Sequence, residues 1–169
     1  MTVFVALLRA INVGGTGMLP MKDLAALCTG CGLKDVRTCI QSGNVVFKST
    51  LSERSITARL EKALAERMGK KVDVMLRTAV ELRAALKANP FPHGKPAQVV
   101  VLFLAAPAPK GLLDGLAIPG PEEVHREGRE IYIHYPNGIG RSKLKLPAAV
   151  VGTARNLNTV ARLAELASR

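Results

Sequence analysis

Apolar residues run almost unbroken from Val3 to Leu8, and the chain then turns polar and glycine-rich through Gly17. A short apolar run bounded by turn residues is the pattern of a buried strand. From Met21 the period changes. Leu24, Leu27 and Cys28 recur at helical spacing and Gly32 follows, which predicts a helix over Met21–Cys31 with a glycine stop. Val36–Ile40 and Val45–Phe47 read as strands around Ser42-Gly43-Asn44, a turn in which glycine tolerates positive φ. Ile56–Met68 sets Leu60 and Leu64 on one helical face, with Ser52 and Ser55 as caps and Gly69 as its end. Val72–Leu76 reads as a strand. The order β-α-β-β-α-β is the split unit of ferredoxin-like folds.

The second half echoes the first. Val80–Leu86 predicts a linking helix closed by Asn89-Pro90-Phe91-Pro92. A strand at Gln98–Leu104 and a short helix at Lys110–Leu116 follow. Glu122–Arg126 and Glu130–Tyr135 read as strands around Glu127-Gly128, a hairpin pair. A short helix from about Ser142 and a final helix over Asn156–Ala167 close the chain, and a fourth strand would fall near Val150–Thr153. The expectation is an α+β chain of two ferredoxin-like subdomains in tandem, the second less regular. Their bounds are 1–78 and 79–169, the latter including the linking and final helices.

This topology groups distant residues. In the split unit the first two strands are parallel, with the third antiparallel between them. The loop leaving the first strand and the turn joining the second to the third then share one sheet end. Arg9, Asn12, Gly14 and Gly15 are therefore expected near Gln41, Ser42, Gly43 and Asn44. A strand running through glycines into a helix is where backbone N–H groups can face an anion.

Composition narrows the partners. Lys plus Arg number 24 against 13 acidic residues, a net charge of +11. Between Ile131 and Arg169, the cations Arg141, Lys143, Lys145, Arg155, Arg162 and Arg169 face only Glu165. Such a balance acts on solubility and on steering of anionic partners. Aromatics are 4% with no Trp, which speaks against base-stacking platforms. No stretch approaches the roughly 20 apolar residues of a membrane helix. Arg9 interrupts the first apolar run as a signal peptide would not allow. A cytoplasmic protein without membrane attachment is expected.

Beyond the Arg9–Gly15 loop and the Gln41–Asn44 turn, two further cassettes carry chemistry. Asn137-Gly138-Ile139-Gly140-Arg141-Ser142-Lys143 combines glycines, a guanidinium, a hydroxyl and an ammonium, a set that suits phosphate. It lacks the P-loop order, and the Arg9–Gly15 loop lacks the dinucleotide order. A strand-to-helix turn capped by Ser142 is the structural alternative. In Thr153-Ala154-Arg155-Asn156-Leu157-Asn158-Thr159, helix capping accounts for Thr153 and Asn156. Arg155 at a helix N-terminus would oppose the dipole unless an anion were near.

Three cysteines make no disulfide framework. Cys28 and Cys31 have C-x-x-C spacing, but only Cys39 is left as a further thiol for zinc, and the pair sits at a helix C-terminus, where thiolate is not favoured. They read as core cysteines. His93, His125 and His134 show no metal spacing, so neither metal nor cofactor is expected.

Leu7-Leu8-Arg9-Ala10-Ile11-Asn12-Val13-Gly14-Gly15, Cys39-Ile40-Gln41-Ser42-Gly43-Asn44-Val45-Val46-Phe47 and Ala154-Arg155-Asn156-Leu157-Asn158-Thr159-Val160 together resemble a bacterial family, the domain of unknown function numbered 1697. The family pattern reads L-L-R-G-I-N-V-G-G, Y-I-Q-S-G-N-V-V-F and T-R-N-W-N-T-V. The resemblance implies two ferredoxin-like subdomains and no particular activity. Ala10, Cys39 and Leu157 depart from its glycine, tyrosine and tryptophan, so any stacking by those aromatics is lost here.

The sequence thus favours a binding protein with a polar cleft for a phosphate-bearing ligand, a nucleotide or, more weakly, a nucleic acid. Candidate ligand residues are Arg9, Asn12, Gly14, Gly15, Gln41, Ser42, Gly43, Asn44, Arg141, Ser142, Lys143, Arg155, Asn156 and Asn158. An enzyme acting on a small phosphorylated substrate is the alternative. The cassettes offer it only Ser42 and Ser142 as nucleophiles, with no histidine close in sequence. A protein-interaction module, marked by an exposed apolar patch, is the third reading.

Overall fold

The computed structural model describes residues 1–9, 19–38 and 43–169. It divides into two compact units, Met1–Leu82 with Leu163–Arg169, and Arg83–Arg162. Among the described residues there are two four-stranded antiparallel sheets and four α-helices.

The first unit holds β1 (Thr2–Leu8), α1 (Met21–Gly30), β2 (Lys34–Thr38), β3 (Asn44–Ser49), α2 (Glu53–Met68) and β4 (Val74–Thr78). Its strand order is β2-β3-β1-β4. β3 is antiparallel to both β1 and β2, so those two run parallel on either side of it. Phe4, Ala6, Leu8, Val45, Phe47, Val74 and Leu76 turn one face toward Leu24, Cys28, Ile56, Leu60 and Leu64 of the helices. The alternate positions Val5, Leu7, Asn44, Val46 and Arg77 are buried too.

Local chemistry sets the element ends. The Ser52 hydroxyl accepts from the Ser55 N–H at 3.2 Å, and Gly69 closes α2 in the left-handed region. β2 starts earlier than its apolar pattern predicts. Asp35 takes φ +46°, and the pairing register shifts between Lys34 and Arg37, the mark of a bulge. The predicted strand end at Cys39–Ile40 lies outside the described residues.

α3 (Ala79–Lys87) starts on a capping box. The Thr78 N–H donates to Glu81 Oε1 at 2.9 Å, and the Glu81 N–H donates to Thr78 Oγ1 at 3.2 Å. The second unit's sheet comprises β5 (Val99–Leu104), β6 (Glu123–Glu127), β7 (Glu130–His134) and β8 (Gly152–Asn156), in the order β6-β7-β5-β8. α4 (Leu157–Ala167) follows directly. The fourth strand is present, displaced toward the C-terminus from the predicted Val150–Thr153.

Two predicted helices are absent. Residues Lys110–Leu116 form successive turns, because Gly111 and Gly115 both take positive φ, at 84° and 72°. No helix begins at Ser142 either. A 3-10 turn at Ile139–Arg141 comes before it, and Ser142 itself is extended. The hairpin tip is Gly128-Arg129, one residue beyond the predicted pair, with Gly128 at φ 54°.

Candidate functional site

The antiparallel pairing of β6 and β7 sets Glu123 opposite His134. The residues just outside that pair, Pro119–Glu122 before β6 and Tyr135–Gly138 after β7, therefore emerge side by side at one sheet end. With the following turn they line a cleft of about 280 Å³, whose polar groups come from Glu122, Tyr135, Asn137, Arg141, Ser142 and Lys143. That volume is at the small end of ligand sites.

The walls are held from within. Ser142 Oγ donates to Glu122 Oε1 at 2.6 Å and accepts from the Leu144 N–H at 3.1 Å. The Ser142 bond holds the Glu122 carboxyl below the usual carboxylate range, so it is ionised at neutral pH. Burial raises the phenol pKa of Tyr135, and the Glu122 charge raises it further. The N–H groups of Gly138, Arg141 and Ser142 are taken by the carbonyls of Tyr135, Gly138 and Ile139. A backbone anion cradle is thereby largely spent. Ser142, expected as a helix cap or a phosphate donor, instead ties the cleft walls together. The cleft's available cations are Arg141 and Lys143, both exposed. Among the described residues neither has a carboxylate partner.

The other candidates are placed as follows. Arg9 follows β1, and the Leu8 N–H donates to the Gly43 carbonyl at 2.9 Å, so Arg9, Gly43 and Asn44 share one sheet end. Arg9 is paired with Asp73, N–H to carbonyl at 3.0 Å and Nη1 to Oδ2 at 3.4 Å. Asn12, Gly14, Gly15, Gln41 and Ser42 lie outside the described residues. Arg155 lies within β8 rather than on the helix, so the argument from an unfavourable dipole falls. Its Nη1 donates to Thr153 Oγ1 at 2.7 Å and to the Ala154 carbonyl at 2.9 Å. Burial lowers its pKa to about 10, and it stays charged at neutral pH. Asn156 Oδ1 accepts from the Thr159 N–H at 2.9 Å, so capping occupies it. Asn158 stands exposed on the first turn of α4. Arg141 and Lys143 therefore share a cleft in the second unit, and Arg9, Gly43 and Asn44 share a sheet end in the first.

Nothing in the spacing of His93, Glu123 and His134 along the chain joins them. The structure does: Glu123 Oε1 is 3.2 Å from His93 Nε2 and 3.3 Å from His134 Nδ1. Bonds from His134 and then His93 hold the Glu123 carboxyl below its usual range.

Cys28 is buried in the first unit's core. Burial, and then Cys31, push its thiol up to about 12. Its thiolate is accordingly scarce at pH 8, and native Cys28 is expected to resist iodoacetamide until the protein is unfolded in urea. Peptide mass analysis checks this; labelling at the rate of a free thiol would contradict it.

A family model described as Protein of unknown function (DUF1697) matches residues 1–132. The Tyr135–Lys143 side of the cleft and the Arg155 segment lie beyond that stretch. Among solved structures, the conserved bacterial protein SP0830 from Streptococcus pneumoniae is similar, with a TM-score of 0.79 over 98% of both chains. At 24% identity the likeness concerns the fold. No curated protein matches the chain. With its Leu7–Gly15 and Cys39–Phe47 motifs inside the matched stretch, the chain belongs to the DUF1697 family of proteins of unknown function.

Proposed function

We propose that this protein binds a small phosphate-bearing ligand, in the first place a nucleotide, in the cleft between Pro119–Glu122 and Tyr135–Lys143. The observation that supports it most is the pair Arg141 and Lys143. Two cations that have no carboxylate partner among the described residues border a cleft of small-molecule size. A guanidinium can grip phosphate through two parallel N–H bonds, and an ammonium adds a point charge. Glu122, ionised beside them, repels phosphate but accepts hydrogen bonds from hydroxyl or amino groups. A ligand with an anionic end and a hydroxylated body satisfies both, as ribose phosphates do.

In the same reading the two sheets belong to tandem ferredoxin-like subdomains of a cytoplasmic protein. Their strand orders correspond one to one, and the second has lost its first helix to the Gly111–Gly115 turns. The Arg9 end of the first sheet is a second candidate for anion contact, less open because Asp73 already engages Arg9.

A calorimetric titration panel of nucleoside monophosphates, diphosphates and sugar phosphates tests the proposal. Saturable binding to at least one is expected, weakened by phosphate removal from the ligand. Heats indistinguishable from dilution across the panel would refute it and favour the protein-interaction reading.

A further inference from the structure

We propose that His93, Glu123 and His134 form a binding site for a divalent transition-metal ion of the zinc, nickel or copper class. The proposal is independent of the phosphate cleft. Successive strand residues point to opposite faces. Glu123 and His134 therefore face away from the side of the sheet that carries Glu122 and Tyr135.

Backbone pairing places the ligands. Glu123 and His134 are register partners on β6 and β7, and His134 also pairs with Val99 of β5. His93 arrives from the segment before β5, where Asn89 Oδ1 accepts from the Phe91 N–H at 2.9 Å and the Gly94 N–H donates to the Phe91 carbonyl at 3.0 Å. That turn sets His93 over the sheet end.

The donor atoms already stand near coordination distances. One ligand atom from each residue lies within 4.8 Å of the others. The two nitrogen-to-carboxylate separations are 3.2 and 3.3 Å. Ligands about 2.0–2.1 Å from a tetrahedral ion are about 3.3–3.4 Å apart, so the Glu123 oxygen needs almost no movement and the two rings need only close on each other. The rings meet edge to face, centroids 5.1 Å apart, which lets two nitrogens converge on one point.

The anchor is rigid and the rest is open. The His134 side chain is 8% exposed, stacked on buried Phe91 with centroids 5.9 Å apart. Gly94 presses on its other nitrogen: a Cβ there would fall 2.8 Å from His134 Nε2. Packing thus directs Nδ1 toward Glu123. His93 and Glu123 are about half exposed, which leaves a coordination position for water. Two imidazoles and one carboxylate suit zinc, nickel or copper; calcium and magnesium demand six or more oxygens. Without metal, ring N–H bonds to Glu123 hold the same atoms together.

The full-length, tag-free protein is stripped with chelator and titrated with zinc chloride, by calorimetry and by thermal shift. One ion per chain and a raised melting temperature are expected. His93→Ala and Glu123→Gln, both at exposed positions, should each weaken binding at least about tenfold, since even outer-shell changes cost that much. His125→Ala, next to Glu127 and outside the cluster, should bind as wild type. No saturable site would overturn the proposal. So would binding unchanged in both ligand variants, or binding lost instead in Cys28→Ser with Cys31→Ser, which would move the ion to the thiols.

Discussion

Phe47→Ala is expected to destabilise the protein by about 3–5 kcal/mol, the usual cost of emptying an aromatic site in a packed core. Phe47 is wholly buried at the centre of β3, paired in register with Phe4 of β1, and the two rings stack with centroids 5.9 Å apart. The core cluster it belongs to draws on both helices and three strands, so no single element can collapse into the space. The next residue gives the control. Lys48 points to the opposite side, is partly exposed and forms a surface pair with Asp35 at 3.3 Å. Lys48→Ala should change stability by less than about 0.5 kcal/mol. Urea unfolding of both variants, followed by a probe within the first unit, decides the matter. Equal losses would mean that this sheet face is not the core described.

The first unit was legible because each signal in it is local. A continuous apolar run, a helix with a cap and a glycine end, and a glycine turn each name their element without help from distant residues. The second unit was harder for equally local reasons. Lys110–Leu116 has helix-compatible side chains, yet Gly111 and Gly115 take backbone conformations that end helices, and a glycine does not announce which way it will turn. The hairpin shows how much one residue costs. With its tip at Glu127-Gly128, Glu123 would face Tyr132. With the tip at Gly128-Arg129 it faces His134. A slip of one position thus decides whether the carboxylate and imidazole meet at all, and His93 joins them from a distant loop. The basic cassettes were read by composition, which cannot see hydrogen bonds already made. Ser142 is committed to Glu122, Asn156 to a cap, and Arg155 to β8. Arg77 carries no signal at all, being one cation at the end of an apolar strand, yet it is among the most buried side chains, its Nη1 donating to the Leu76 carbonyl at 2.8 Å.

Arg141→Ala combined with Lys143→Ala should reduce affinity for the phosphate-bearing ligand at least a hundredfold. Hydrogen bonds to charged groups contribute about 1.5–3 kcal/mol each, and about 1.4 kcal/mol is a factor of ten, so losing two exceeds two decades. The salt dependence separates a small ligand from a nucleic acid. Arg155 is turned into its own strand, so of Arg141, Lys143, Lys145 and Arg155 the first three remain exposed to meet a polyanion. Counterion release at about −0.9 per phosphate for duplex and −0.7 for single strand then gives a slope of about −2 to −3 in log K against log salt. A nucleotide held in the cleft carries no condensed counterion atmosphere to release, and its slope should be clearly shallower. The expected result is therefore a shallow slope for the nucleotide and a large loss on removing both charges, with gel shifts of nucleic acid weak and indifferent to sequence. A slope near −3 with tight duplex binding would transfer the site to nucleic acid. Affinity untouched by the double substitution would remove the ligand from this cleft and leave the Arg9 end of the first sheet as the place to look.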